Sequence, residues 1–165
     1  VKEIGACNSI RVNKGVLTGF NTDVTGFEQS LVPYLQSYHK KALILGTGGA
    51  AKAVAWVFKR LGIEFSYVSR MPKDGCFTYE QLDADIIQQY RIIVNSTPLG
   101  MQPNIDQLPS LPYSSLNSQY LCYDLIYNPA KTAFLQQAEL SGAVIKNGAE
   151  MLEIQAEESW KIWNS

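Results

Sequence analysis

Lys41-Ala42-Leu43-Ile44-Leu45-Gly46-Thr47-Gly48-Gly49-Ala50-Ala51 is the stretch on which the fold turns. Residues 42–45 are apolar without the alternation of a half-exposed strand, so they read as a strand buried on both faces. A glycine cluster follows at once, and then a helical stretch over residues 50–61 that Gly62 closes. Gly46 suits a tight turn, Gly48 lets backbone N–H groups approach an anion, and the small Ala51 allows close packing of helix on strand. The start of the helix adds partial positive charge at the same place. Strand, glycine turn and helix in this order are the setting in which such a loop cradles a pyrophosphate. A glycine-rich turn that holds nothing is the other reading of the same residues.

Working outward, residues 63–69 are rich in aromatic and β-branched side chains and read as a second buried strand, completing a β-α-β unit. Further strands are expected at residues 91–95, 120–125 and 143–146, with helical segments near 79–89 and 131–140. This alternation predicts an α/β fold, a Rossmann-type doubly wound and mainly parallel sheet with helices on both faces. Upstream, residues 4–12 and 16–20 read as a β-hairpin turning at Asn13-Lys14-Gly15. Asp23 is placed to cap a helix through Phe27, Leu31 and Leu35, which Pro33 limits. Residues 149–163 read as a helix with much apolar surface from Met151, Leu152, Ile154, Trp160, Ile162 and Trp163.

At 165 residues the chain suits one ordinary core, and 46% apolar with 18% charged residues is a globular composition. A formal charge of −1 shows no bias toward nucleic acid or an anionic membrane, and no apolar run is long enough to span one. The three cysteines, Cys7, Cys76 and Cys122, are far apart and lack metal-ligand spacing, so reduced thiols in a cytoplasmic protein are expected, with no metal. The chain opens on Val1 without the pattern of a signal peptide, which fits a piece of something longer. His39, the single histidine, stands beside Lys40 and Lys41 and reads as a solvated loop residue.

The end of the second buried strand bears on the cofactor. An NAD site usually carries an acid there for the ribose hydroxyls, whereas an NADP site carries an arginine for the 2′-phosphate. Here Ser69-Arg70 stand with no competing carboxylate, and a guanidinium suits bidentate phosphate recognition, so NADP is the expected cofactor. A plain surface arginine is the alternative.

With these residues in hand, the chain resembles the C-terminal part of shikimate dehydrogenases. Gly5-Ala6-Cys7-Asn8-Ser9 is similar to the family's Gly-Ala-Val-Asn-Thr, and Gly19-Phe20-Asn21-Thr22-Asp23 to its Gly-Tyr-Asn-Thr-Asp. The glycine loop follows in order. Next come Asn95-Ser96-Thr97-Pro98-Leu99-Gly100-Met101, then Asp124-Leu125-Ile126-Tyr127-Asn128-Pro129 with Thr132, and finally Gly148, Met151, Leu152 and Gln155 at the family's spacing. The resemblance implies reduction of 3-dehydroshikimate with NADPH, a step of aromatic amino-acid biosynthesis. It implies that Asn8, Asp23, Tyr127 and Gln155 contact substrate and that Asp23 is one partner of a catalytic Lys-Asp pair. It implies cofactor contacts from Gly46, Thr47, Gly48, Gly49, Ala50, Ser69, Arg70, Lys73, Asn95, Ser96, Thr97, Pro98, Leu99, Met101, Leu125, Tyr127, Gly148 and Met151. Read alone, Asp23 could merely cap a helix, Asn8 satisfy a strand end and Met151 fill core.

The match also has gaps. The family's Ser-x-Ser pair and catalytic lysine precede the first motif, and nothing here resembles that segment; Lys14 lies in the expected hairpin turn. The threonine that commonly follows the phosphate-binding arginine is replaced by Met71, with Lys73 a further candidate. The expectation is therefore a fragment, inactive alone. Residues 1–22 would be a remnant of a substrate-binding domain, 23–148 the NADP-binding domain, and 149–165 a helix packing on the substrate domain. The surface left bare would favour self-association or a homodimer. A quinate/shikimate dehydrogenase using NAD or NADP, and a non-catalytic dinucleotide-binding module, are the rival readings.

Overall fold

The computed structural model describes residues 4–165; residues 1–3 of the expected 1–22 segment lie outside the described residues. β1 (Ser9–Asn13) and β2 (Val16–Phe20) pair antiparallel from Ser9↔Phe20 to Asn13↔Val16. The reversal uses Lys14 and Gly15, both at positive φ (48° and 81°), the turn whose twist matches that of the flanking strands. β1 starts later than expected because the backbone turns at Gly5, φ 68°. α1 (Asp23–Leu31) follows, and Asp23 does not cap it: Thr22 holds the cap position, without a side-chain capping bond, and Asp23 is the first helical residue. Pro33 lies in a single 3-10 turn over Val32–Tyr34 that ends the segment.

The remaining strands form one parallel sheet. In chain order come β3 (Lys41–Leu45), α2 (Gly49–Leu61), β4 (Glu64–Ser69), β5 (Cys76–Thr78), α3 (Ala84–Ile87), β6 (Ile92–Asn95), β7 (Leu121–Asp124), α4 (Ala133–Leu140), β8 (Val144–Lys146) and α5 (Ala149–Trp163). The spatial order is β5-β4-β3-β6-β7-β8, every neighbouring pair parallel. Counting from β3, this is the 3-2-1-4-5-6 order of doubly wound dinucleotide-binding sheets, with the switch point between β3 and β6.

Alternate residues of β3 serve opposite layers, as strand geometry requires. Ala42 and Ile44 pack with Phe27, Leu31, Val54 and Phe58 from α1 and α2. Leu43 and Leu45 pack with Ile87, Phe134, Leu135 and Ala138 from α3 and α4. α1 and α5 approach so closely that a Cβ on Gly26 would lie 2.5 Å from the Met151 carbonyl oxygen. α5 is thereby fixed beside the sheet edge where the chain's motifs gather.

Besides the Asp23 cap, two expectations are corrected and one strand is new. The helix expected over residues 79–89 is broken into a 3-10 turn, Tyr79–Gln81, and short α3, because Asp83 accepts from Ile86 N at 2.9 Å and starts a new helix. Edge strand β5 was not anticipated; three residues are too few to show a period. His39 is not solvated. It is 5% exposed, its Nδ1 accepts from Gln36 N at 2.9 Å, and its Nε2 lies 3.2 Å from the Gln119 carbonyl oxygen. Among the described residues the cysteines are free, no group of three metal-ligating side chains gathers, and no helix is long and apolar enough to cross a membrane.

Candidate functional site

The loops at the C-terminal ends of the parallel strands form three adjoining hollows. The first, about 320 Å³, is lined by the glycine loop, the end of β4 and residues 96–99. The second, about 440 Å³, shares Ser96, Thr97 and Pro98 with it and adds Met101, Leu125 and Tyr127. The third, about 390 Å³, shares Ala50, Leu125 and Tyr127 with the second and adds Asn8, Asp23, Gly148, Met151 and Gln155. A single trough therefore runs from β4 across the switch point to α5.

At its centre Gly46 adopts φ 104°, a conformation that L side chains rarely take, and a Cβ there would press within 3.0 Å of Ser96 Oγ. Gly48 and Gly49 face open space, and Gly48 caps α2 with no side-chain bond to its first N–H groups. Those donors and the helix dipole are free to meet an anion. Thr47 lines the first hollow and Ala50 the other two.

The β4 end of the trough carries Ser69, Arg70, Met71 and Tyr79. Arg70 is exposed, and Ser69 Oγ accepts from Met71 N at 3.3 Å, shaping the turn. The structure does not bring Lys73 here: it lines a separate depression with Asp74, Thr78 and Gln81.

Asn95 is wholly buried beneath residues 96–99 rather than in the trough, its amide bonded to Thr97, Leu99 and Asp124. Burial pushes the Asp124 carboxyl up to about 6, opposed by hydrogen bonds from Thr132, Ile126 N and Asn95. Gly148 is buried against Leu125, and Met151 is nearly covered beside it.

At the α5 end Asn8 Nδ2 donates to Asp23 Oδ1 at 2.9 Å, and Asn8 Oδ1 accepts from Thr22 N at 2.8 Å. Burial raises the Asp23 carboxyl above its ordinary range, and the Asn8 bond pulls the other way. Buried Thr22 joins the set: its hydroxyl lies 3.0 Å from Ser159 Oγ and donates to Gln155 Oε1 at 3.3 Å. The sequence motifs pointed to Asn8, Asp23 and Gln155 but gave no role to Thr22, although it stands in one of them, or to Ser159, which stands in none; their hydroxyls meet across 137 positions. An amide, a carboxylate and a second amide converging on one hollow can hydrogen-bond a polyol.

Sheet order, switch point and glycine loop define a Rossmann-type α/β domain. No family model matches the chain. Its homologues are shikimate dehydrogenases (NADP(+)): the protein of Desulforamulus reducens is 34% identical over 97% of this chain and 62% of its own length. A solved chorismate mutase/shikimate 5-dehydrogenase fusion from Clostridium acetobutylicum is similar at TM-score 0.85 and 32% identity, over 99% of this chain and 62% of that one. Shikimate 5-dehydrogenase of Thermus thermophilus, solved in complex with NADP(H) and shikimate, is similar at TM-score 0.84 and 29% identity, over 98% and 63%. The chain thus spans a little over three fifths of the length of the proteins it resembles.

Proposed function

We propose that this chain is the dinucleotide-binding part of an NADP-dependent oxidoreductase interconverting shikimate and 3-dehydroshikimate. One observation carries the reading: the trough joins a glycine-loop hollow to one lined by Asn8, Asp23 and Gln155, with Ala50, Leu125 and Tyr127 at the join. Cofactor and polyol would meet where these residues stand.

The residues fit NADP. The open space before Gly48 and Gly49 and the uncapped start of α2 suit its pyrophosphate. Exposed Arg70, with no carboxylate among the lining residues, suits its 2′-phosphate, and Thr97, Pro98, Leu125 and Tyr127 would wall the nicotinamide. Bound NADP supplies hydride acceptance or donation. The chain's own part is to orient the substrate: Asn8 and Gln155 bond its hydroxyls, and Asp23 accepts a hydroxyl proton bond at the reacting end. A positioned proton donor is worth about 10²- to 10⁴-fold in rate. Lys14, exposed at the hairpin tip, is not placed to supply one, so the 165-residue chain by itself is expected to bind and to turn over more slowly by about that factor.

In this reading residues 1–22 and 149–165 belong with a substrate domain, and 23–148 form the cofactor domain. The exposed side chains of Val12, Leu17, Trp160 and Trp163 favour self-association of the chain by itself. The reaction belongs to aromatic amino-acid biosynthesis in the cytoplasm. Calorimetric titration of the chain with NADP and with NAD tests the site, and NADP reduction by shikimate in the longer protein tests the reaction. Preference for NADP together with shikimate-dependent turnover supports the reading, and binding of neither dinucleotide defeats it.

A further inference from the structure

The middle hollow has two walls, residues 96–98 after β6 and residues 125–127 after β7. Beneath them lie three polar side chains, Asn95, Asp124 and Thr132, each with no exposed surface. Asn95 Oδ1 accepts from Thr97 N at 3.1 Å and from Thr97 Oγ1 at 2.6 Å, while its Nδ2 donates to the Leu99 carbonyl at 3.3 Å. The same Nδ2 donates to Asp124 Oδ1 at 3.1 Å. Asp124 Oδ1 accepts in turn from Ile126 N at 3.0 Å, and Oδ2 accepts from Thr132 Oγ1 at 2.5 Å. Thr132 also accepts from Leu135 N at 3.4 Å, which anchors the set to the start of α4.

One carboxylate therefore ties both walls to one helix. Asn95 holds the first wall at three points, and Asp124 holds Asn95 and the second wall together. An acceptor-only group with two oxygens is suited to meeting three donors at once, and burial makes every member costly to leave unpaired. Asn95, Asp124 and Thr132 line none of the three hollows, so their role is not contact with a ligand.

We propose that Asp124 is a positioning residue which, through Asn95 and Thr132, fixes the separation of the two turns so that the cleft is preformed for the nicotinamide end of the dinucleotide. The proposal rests on the NADP site described above. Misplacement of such walls by about 1 Å is enough to cost about 100-fold where geometry is strict.

The test is calorimetric titration of the 165-residue chain with NADP and, separately, with adenosine 2′,5′-bisphosphate, which carries the adenosine end and no nicotinamide ring. In Asp124→Ala, NADP affinity is expected to fall about 10- to 100-fold while the bisphosphate changes less than about 2-fold. Asp124→Asn keeps an oxygen for Asn95 and Ile126 and turns its NH₂ to the Thr132 hydroxyl, so it restores NADP binding to within about 3-fold. Equal weakening of both ligands, or unchanged NADP affinity in Asp124→Ala, overturns the proposal. If Asp124→Ala does not fold, Thr132→Val carries the same expected split between the ligands, and the same two results overturn it. Failure of the wild-type chain to bind NADP strikes instead at the reading of the site, and the proposal falls with it.

Discussion

Gly148 stands against Leu125 so tightly that a Cβ on it would come within 2.1 Å of the Leu125 carbonyl oxygen. This contact sets how closely the first turn of α5 approaches the loop after β7, and both line the α5 end of the trough. Gly148→Ala must push one of them away. The expected outcome is a loss of about 1–3 kcal/mol in stability from overpacking against backbone. Urea unfolding checks it, and a change below about 0.5 kcal/mol would show that the loop yields freely.

Arg70 is the cation at the β4 end of the trough, so its removal should separate two cofactors that differ by one phosphate. Arg70→Ala is expected to weaken NADP about 10- to 100-fold, the scale of a charge-assisted bidentate bond, and to leave NAD within about 2-fold. Raising the salt concentration should shrink the difference, since an exposed ion pair is screened. Equal loss for both cofactors would place Arg70 away from the 2′-phosphate. Lys73→Ala should change neither, because that side chain lines another depression.

Thr22 joins three elements, receiving an amide bond from Asn8 and meeting Ser159 and Gln155 on α5. Thr22→Val keeps the volume and strands the buried Ser159 hydroxyl, at about 1–3 kcal/mol. The double variant Thr22→Val with Ser159→Ala should recover part of that loss, because both ends of the pair are then apolar. A double-mutant cycle by chemical denaturation reads the coupling, and strict additivity would mean that the two hydroxyls do not depend on each other.

The sequence pattern made β3, the glycine loop and α2 legible because three signals coincide there: an unbroken apolar strand, glycines at fixed offsets and a helix closed by Gly62 at φ 69°. Local pattern failed where tertiary partners decide. His39 looked solvated beside two lysines, yet its ring meets the Gln119 carbonyl 80 positions away and stacks edge-on against Tyr38. Asp83 falls within the single helix expected near residues 79–89, whereas its carboxylate starts a separate one. Of the motif residues, most line one or another of the three hollows, but Lys73 lines a separate depression and Asn95 lies under the wall. The Thr22–Ser159 pair was invisible, since two ordinary hydroxyls become a unit only once α1 and α5 pack.

Asp124 and His39 should leave opposite marks on the pH dependence of stability. The Asp124 carboxyl is pushed up to about 6 from an ordinary 3.8, chiefly by burial, so the folded chain holds that proton to higher pH than the unfolded chain. Its contribution is complete below about pH 4 and is lost as pH rises through about 6, on the order of 3 kcal/mol in all. His39 is shifted down from 6.5 by burial, with the Gln119 bond pulling the other way. Its contribution is present above 6.5 and is lost as pH falls through the lower folded value. Urea unfolding at intervals from pH 4 to 8, compared by difference with the wild type, separates the two. Asp124→Asn should remove a loss of stability on going from pH 4 to 6, whereas His39→Gln should remove a gain over the pH range just below 6.5. Parallel curves for Asp124→Asn and wild type would mean that the carboxylate is as comfortable in the fold as in water, its three hydrogen bonds then fully offsetting the cost of burial.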